Sequence, residues 1–64
     1  MSEKEVKEFV RTRFTGVAVS VSNLQETLVR EYGKKYEQPE SVRKILRDMF
    51  RPITMRGQPR FELI

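Results

Sequence analysis

A chain of 64 residues is one domain at most, and with 38% hydrophobic and 34% charged residues it has the composition of a small folded domain rather than a disordered tail. The sequence has no cysteine and no histidine, which excludes disulfides, thiolate chemistry, zinc sites and the usual general base, and the acidic residues form no D-x-D-x-D-G loop for calcium. Net charge is +4, unevenly spread: residues 1–33 hold five basic and five acidic residues, whereas residues 34–64 hold eight basic against four acidic and carry the whole excess.

Taken in chain order, Ser2-Glu3-Lys4-Glu5 reads as a capping box, and Val6, Phe9, Val10 and Phe14 follow at helical spacing, predicting an amphipathic helix that ends near Arg13. Thr15-Gly16 breaks it. Val17, Val19 and Val21 alternate with Ala18 and Ser20, the period of a short strand. A second helix is expected from Ser22 or Asn23, each with a Gln25 or Glu26 partner three residues on, with Leu24, Leu28, Val29 and Tyr32 as its apolar stripe and Gly33 as its C-terminal cap. After a polar connector, Lys34 to Gln38, Pro39 suits the first turn of a third helix. Its stripe is Val42, Ile45, Leu46, Met49 and Phe50, and Pro52 is expected to stop it. Ile53–Arg56 and Arg60–Ile64 read as two strands joined by a turn around Gly57-Gln58-Pro59. The expected core is Val6, Phe9, Val10, Leu24, Leu28, Val42, Ile45, Leu46, Met49 and Phe61, with Phe14, Met55 and Leu63 also read as core.

The fold class expected is α+β, one domain over residues 1–64, with three helices and a short three-stranded antiparallel sheet in the order α-β-α-α-β-β. That order, and above all Glu40-Ser41-Val42-Arg43-Lys44-Ile45-Leu46-Arg47-Asp48-Met49 running into Ile53 to Phe61, resembles the winged helix-turn-helix DNA-binding domains. The resemblance implies a recognition helix at residues 40–49 and a wing at the C-terminal hairpin. The connector from Gly33 to Pro39 is longer than the tight turn of the simplest members of that superfamily.

Candidate contact residues follow from charge and position. Arg43, Arg47 and Arg51, spaced i, i+4, i+8, would project from one side of the third helix, with Lys44 beside them. A planar guanidinium suits both phosphate oxygens and the O6/N7 edge of guanine, although the outer face of a helix carries charge for solvation too. Ser41 and Gln38 lie at the helix N-terminus, where the backbone amides favour a phosphate, and Ser41 equally reads as a plain cap. Lys34, Lys35 and Tyr36 in the connector could touch the nucleic-acid backbone or simply face solvent. Arg56, Gln58 and Arg60 frame the hairpin turn, where a narrow minor groove attracts arginine, or where they solubilise a plain hairpin.

The function expected is duplex DNA binding, as a small transcriptional regulator or replication accessory factor. The competing reading is a winged-helix protein-interaction module, a small subunit or viral regulator of a transcription or replication machine. No enzyme activity, cofactor, metal or small-molecule substrate is expected, since no carboxylate dyad or Gly-rich phosphate loop is present. A homodimer through the first helix is possible on this reading, with no dimerisation helix after Ile64. No apolar run approaches the ~20 residues of a membrane span, and the N-terminus lacks a signal peptide's apolar stretch, so the chain is expected in the cytoplasm, on the nucleoid of a prokaryote or virus, or in a eukaryotic nucleus.

Overall fold

The computed structural model describes residues 2–64. Three helices, α1 (Glu3–Phe14), α2 (Val21–Tyr32) and α3 (Pro39–Met49), precede one antiparallel hairpin of β1 (Phe50–Met55) and β2 (Gln58–Leu63). A single 3-10 turn over Lys34–Glu37 joins α2 to α3.

The Ser2 hydroxyl caps α1 by accepting from the Glu5 amide at 3.3 Å, and Glu3 and Glu5 in the first turn with Arg11 and Arg13 in the last complement the helix dipole. Val6, Val10 and Phe14 form its buried row, while Phe9 packs half-buried at the edge of the core. At Gly16 the chain takes a positive φ of 74° and leaves the helix axis.

Helix α2 starts earlier than the Ser22 or Asn23 start expected. Its cap is Ser20, whose hydroxyl accepts from the Asn23 amide at 3.2 Å, so Val21 is already helical. The expected strand over residues 17–21 is correspondingly reduced to one residue. Val19 exchanges two backbone hydrogen bonds of 2.8 Å with Phe61 and forms an isolated antiparallel bridge beside β2. The third strand therefore amounts to one bridge, and the sheet has two strands in place of three.

Pro59 helps to explain why this pairing stops. Because Phe61 turns its N–H and C=O toward Val19, alternation along β2 turns Pro59 the same way, and proline has no N–H to offer the residue opposite. Pro52 is the counterpart in β1. It pairs across from Phe61 and so directs its backbone to the open edge of the hairpin, where it removes the central donor between Phe50 and Thr54. Pro52→Val is expected to restore that donor and to promote edge-to-edge self-association. Size-exclusion chromatography across a concentration series would show it, and a monomeric Pro52→Val variant at all concentrations would show that the edge is closed by something else.

Gly33 ends α2 with φ 85° and its amide bonded to the Val29 carbonyl at 2.8 Å, as expected. The connector that follows is not a plain polar loop. Tyr36 is only 5% exposed and sits in the core, its ring 6.1 Å from that of Tyr32, which in turn meets Phe9 edge-on at 5.5 Å. The Gln25 carboxamide donates to both the Tyr36 and Glu37 carbonyls at 3.1 Å, tying α2 to the chain entering α3.

Helix α3 begins with Pro39 in its first turn and buries Val42, Ile45, Leu46 and Met49, the stripe expected. It ends at Met49. Pro52 does not act as the stop after the helix but lies inside β1, and Phe50, counted in the helical stripe, is the first residue of the strand and still buried. The hairpin turns on two residues, Arg56 and Gly57, with φ of 54° and 78°, the double left-handed geometry that matches strand twist. The turn thus falls earlier than the Gly57–Pro59 loop expected, and the register pairs Met55 with Gln58 and Phe50 with Leu63.

With paired residues sharing a face, Phe50, Phe61 and Leu63 turn toward the helices, and Arg51, Ile53, Met55, Gln58, Arg60 and Glu62 turn away. Met55, read from sequence as core, is 50% exposed for this reason. Val19, Leu24 and Leu28 complete a single core with the residues above, and no polar or charged residue is buried in it among the described residues.

Candidate nucleic-acid interface

Ion pairs divide the outer surface of α3 into two flanks. Lys44 Nζ lies 3.3 Å from Glu3 Oε1, and Lys7 Nζ lies 3.6 Å from Asp48 Oδ2 and 3.5 Å from Glu3. These contacts turn the Lys44–Asp48 flank toward α1. At 100° per residue, Arg43 and Arg47 stand on the other flank, about 40° apart. Arg43 is exposed and has no carboxylate partner among the described residues, while Arg47, with 78% of its side chain exposed, reaches only its neighbour Asp48 at 3.9 Å. Such a contact holds an exposed guanidinium weakly.

The row of three arginines expected on this helix does not form. Arg51 is in β1, and its Nε and Nη2 lie 2.7 and 2.6 Å from Glu62 Oε1 across the hairpin. The helix ends before it because Phe50 turns extended, so the i+8 spacing no longer places Arg51 above Arg47. Ser41 is not the cap of α3: Gln38 holds that position without a side-chain hydrogen bond, and Ser41 lies half-buried within the first turn, its amide bonded to the Gln38 carbonyl at 3.2 Å.

Lys34 and Lys35 are exposed on the 3-10 turn just before α3, without an ion pair among the described residues, and Lys35 Nζ rests 5.8 Å from the Tyr36 ring centroid. Tyr36 itself, placed by the sequence reading among possible backbone contacts, is withdrawn into the core by its apolar ring. Burial pushes its phenol pKa up, with Tyr32 and Glu3 adding to the effect. Arg56 occupies the first position of the hairpin turn. Arg60 and Gln58 follow on the outward sheet face, where Arg60 Nη2 donates to Gln58 Oε1 at 3.2 Å.

The structure therefore groups Arg43, Arg47, Lys34 and Lys35 on and beside α3, and Arg56, Gln58 and Arg60 at the hairpin, while Lys44 and Arg51 each face a carboxylate. Sequence reasoning missed Asn23, which lines a groove with the hairpin arginines; its only signal was as a helix start. Among the described residues no group of three or more His, Cys, Asp or Glu side chains comes together that could hold a metal ion, and no helix is long and apolar enough to cross a membrane.

The α1–α3 ion pairs have a pH signature. A hydrogen bond from Lys44, its charge and that of Lys7 hold the Glu3 carboxyl below its ordinary value of 4.5. Glu3 thus gives up its proton more readily in the fold than in the unfolded chain. Its contribution to stability is present above pH 4.5 and lost as the pH falls through the lower folded value. A carboxyl titration followed by NMR is expected to show Glu3 below 4.5 in the wild type and displaced upward in Lys44→Met; identical curves would mean that the contact is not populated in solution.

No protein-family model matches this chain, and no curated protein or solved structure is similar to it.

Proposed function

We infer that this chain binds duplex DNA in the manner of a winged-helix domain, with the Arg43–Arg47 flank of α3 toward the major groove and the hairpin on the backbone or in an adjacent minor groove. One observation carries the reading: Lys44 and Arg51 face carboxylates, whereas Arg43, Lys34, Lys35, Arg56 and Arg60 have no carboxylate partner among the described residues and Arg47 has only a 3.9 Å contact with its neighbour Asp48. The spatial order Val19, β2, β1 beside three helices also suits a winged helix. Such a domain would act as a small transcriptional regulator or replication accessory factor, located where the DNA is.

Fluorescence anisotropy with a random duplex at two salt concentrations tests this directly. If Arg43, Arg47, Lys34, Lys35, Arg56 and Arg60 all neutralise phosphates, log affinity falls with log salt at a slope of about −5, from about −0.9 per contact. Lys4→Ala, on the neutral half of the chain, leaves the slope unchanged. No binding at low salt sinks the reading. A second reading, docking on a protein partner, is favoured by one feature: Met55 and Val17, 50% and 46% exposed, line one groove with Ile53 and the locally neutral Arg51–Glu62 pair. Loss of duplex binding together with capture of an acidic protein surface would select it.

A further inference from the structure

The hairpin turn breaks a local rule. Both of its positions need positive φ, which Gly57 adopts freely, but at 54° Arg56 is the one non-glycine residue among those described in this region. Asn, Asp or Gly is the low-cost choice there, because a short polar side chain or none relieves the crowding of the left-handed conformation. Folding alone does not select arginine.

Arg56 lines a groove of about 490 Å³ between the hairpin tip and the first turn of α2, together with Arg60, Gln58 and Asn23 above Ala18 and Met55. The chemistry of the lining is one-sided. It holds two guanidinium groups and two carboxamides and no carboxylate. Arg60 donates to the Gln58 amide oxygen, and the Gln58 NH₂ makes no hydrogen bond among the described residues. The backbone of Asn23 is engaged with Ser20 and Thr27, while its carboxamide makes no hydrogen bond among the described residues. An unmatched set of donors over an apolar floor suits the phosphodiester backbone of one strand, whose oxygens accept and whose sugars are partly apolar.

We propose that this groove seats one phosphodiester strand of bound nucleic acid, and that Arg56 is kept in the left-handed region because it contacts phosphate there. The proposal rests on the nucleic-acid reading above and adds Asn23 and the floor of the groove to it. The two positive charges are the anchor, and the carboxamides orient the strand between them.

The test uses the full chain with Arg56→Asn, Arg56→Lys, Asn23→Ala and the control Lys4→Asn. Arg56→Asn raises Tm by about 4 °C or more, as the turn takes its preferred residue, and flattens the salt slope of duplex binding by about 0.9. Arg56→Lys restores the slope without the gain in Tm. Asn23→Ala weakens binding about fivefold at unchanged slope, the loss expected for one hydrogen bond. Lys4→Asn alters neither. In ¹⁵N spectra the side-chain amide signals of Asn23 and Gln58 move on adding a short random duplex and scarcely move with millimolar inorganic phosphate. Equal movement with phosphate alone would make the groove a general anion site and overturn the proposal. If Arg56→Asn and Asn23→Ala bind duplex as the wild type does while Arg43→Ala is weakened, the nucleic-acid reading stands and the groove falls. If the wild type binds no duplex at low salt, the parent reading fails first.

Discussion

Leu28→Ala is expected to leave no stably folded domain. Leu28 is fully buried at 0% exposure, on the helix that packs against both the 3-10 turn and α3. Removing three carbons from such a site costs about 2–5 kcal/mol, the lost transfer energy plus a cavity that the neighbours fill only in part. A core in a chain this short supplies only about 3–5 kcal/mol in total. At mid-range the loss, about 3.5 kcal/mol, nearly equals the total, about 4 kcal/mol, so the variant keeps almost no stability at room temperature. Met55→Ala, on the outward face of the hairpin, is the matched control and should change stability by less than about 0.5 kcal/mol. Urea denaturation followed by circular dichroism measures both. A cooperative Leu28→Ala transition at the wild-type midpoint would mean that α2 is not the element around which this core is built.

The sequence discloses the elements whose signal is local and loses those decided by a competitor some residues away. The Val42, Ile45, Leu46, Met49 row is legible because four apolar residues at helical spacing leave one solution. Phe50 continues that row in phase, and burial alone cannot tell the next helical residue from the first residue of a strand. Pro52 restricts only Arg51 before it, whereas the chain is already extended at Phe50, with φ −120° and ψ 161°. The valine alternation over residues 17–21 was a genuine strand signal. It lost to Ser20, whose hydroxyl starts α2, and to Pro59, which withholds a ladder donor. Tyr36 was hidden by its neighbours: flanked by lysines and a glutamate it reads as loop, yet its ring closes the core between α2 and α3.

For the candidate site, residue types were legible and pairings were not. Lys44 and Glu3 lie on different helices far apart in the chain, and nothing in the spacing of either announces that they meet. The same holds for Arg51 and Glu62, which only the hairpin register brings together. The charge excess of the second half was correctly located. Which cations remain unmatched is a property of tertiary structure.

That sorting makes the sharpest prediction for binding. Arg43→Ala and Arg47→Ala are each expected to cost about 1–3 kcal/mol, roughly 5- to 150-fold, on a preferred duplex site and to relax preference at one base position, because a guanidinium on a helix inside the major groove can bond bidentately to guanine O6 and N7. Arg51→Ala should do far less. Its guanidinium already bonds a carboxylate oxygen at 2.6 Å and is not free to bond a base edge, so its removal, which leaves Glu62 unpaired, should not relax preference at any base position. Lys44→Ala falls in the same class, since Glu3 faces it. Arg60→Ala at the hairpin should weaken binding to all duplexes evenly, leaving the preferred sequence as it was. Selection from a pool of random duplexes with the wild type and these five variants separates the three behaviours. If the Lys44 variant shifts the selected sequence while the Arg43 and Arg47 variants do not, then the flank of α3 facing α1 is the reading face, and the ion pair between Lys44 and Glu3 must open when DNA binds.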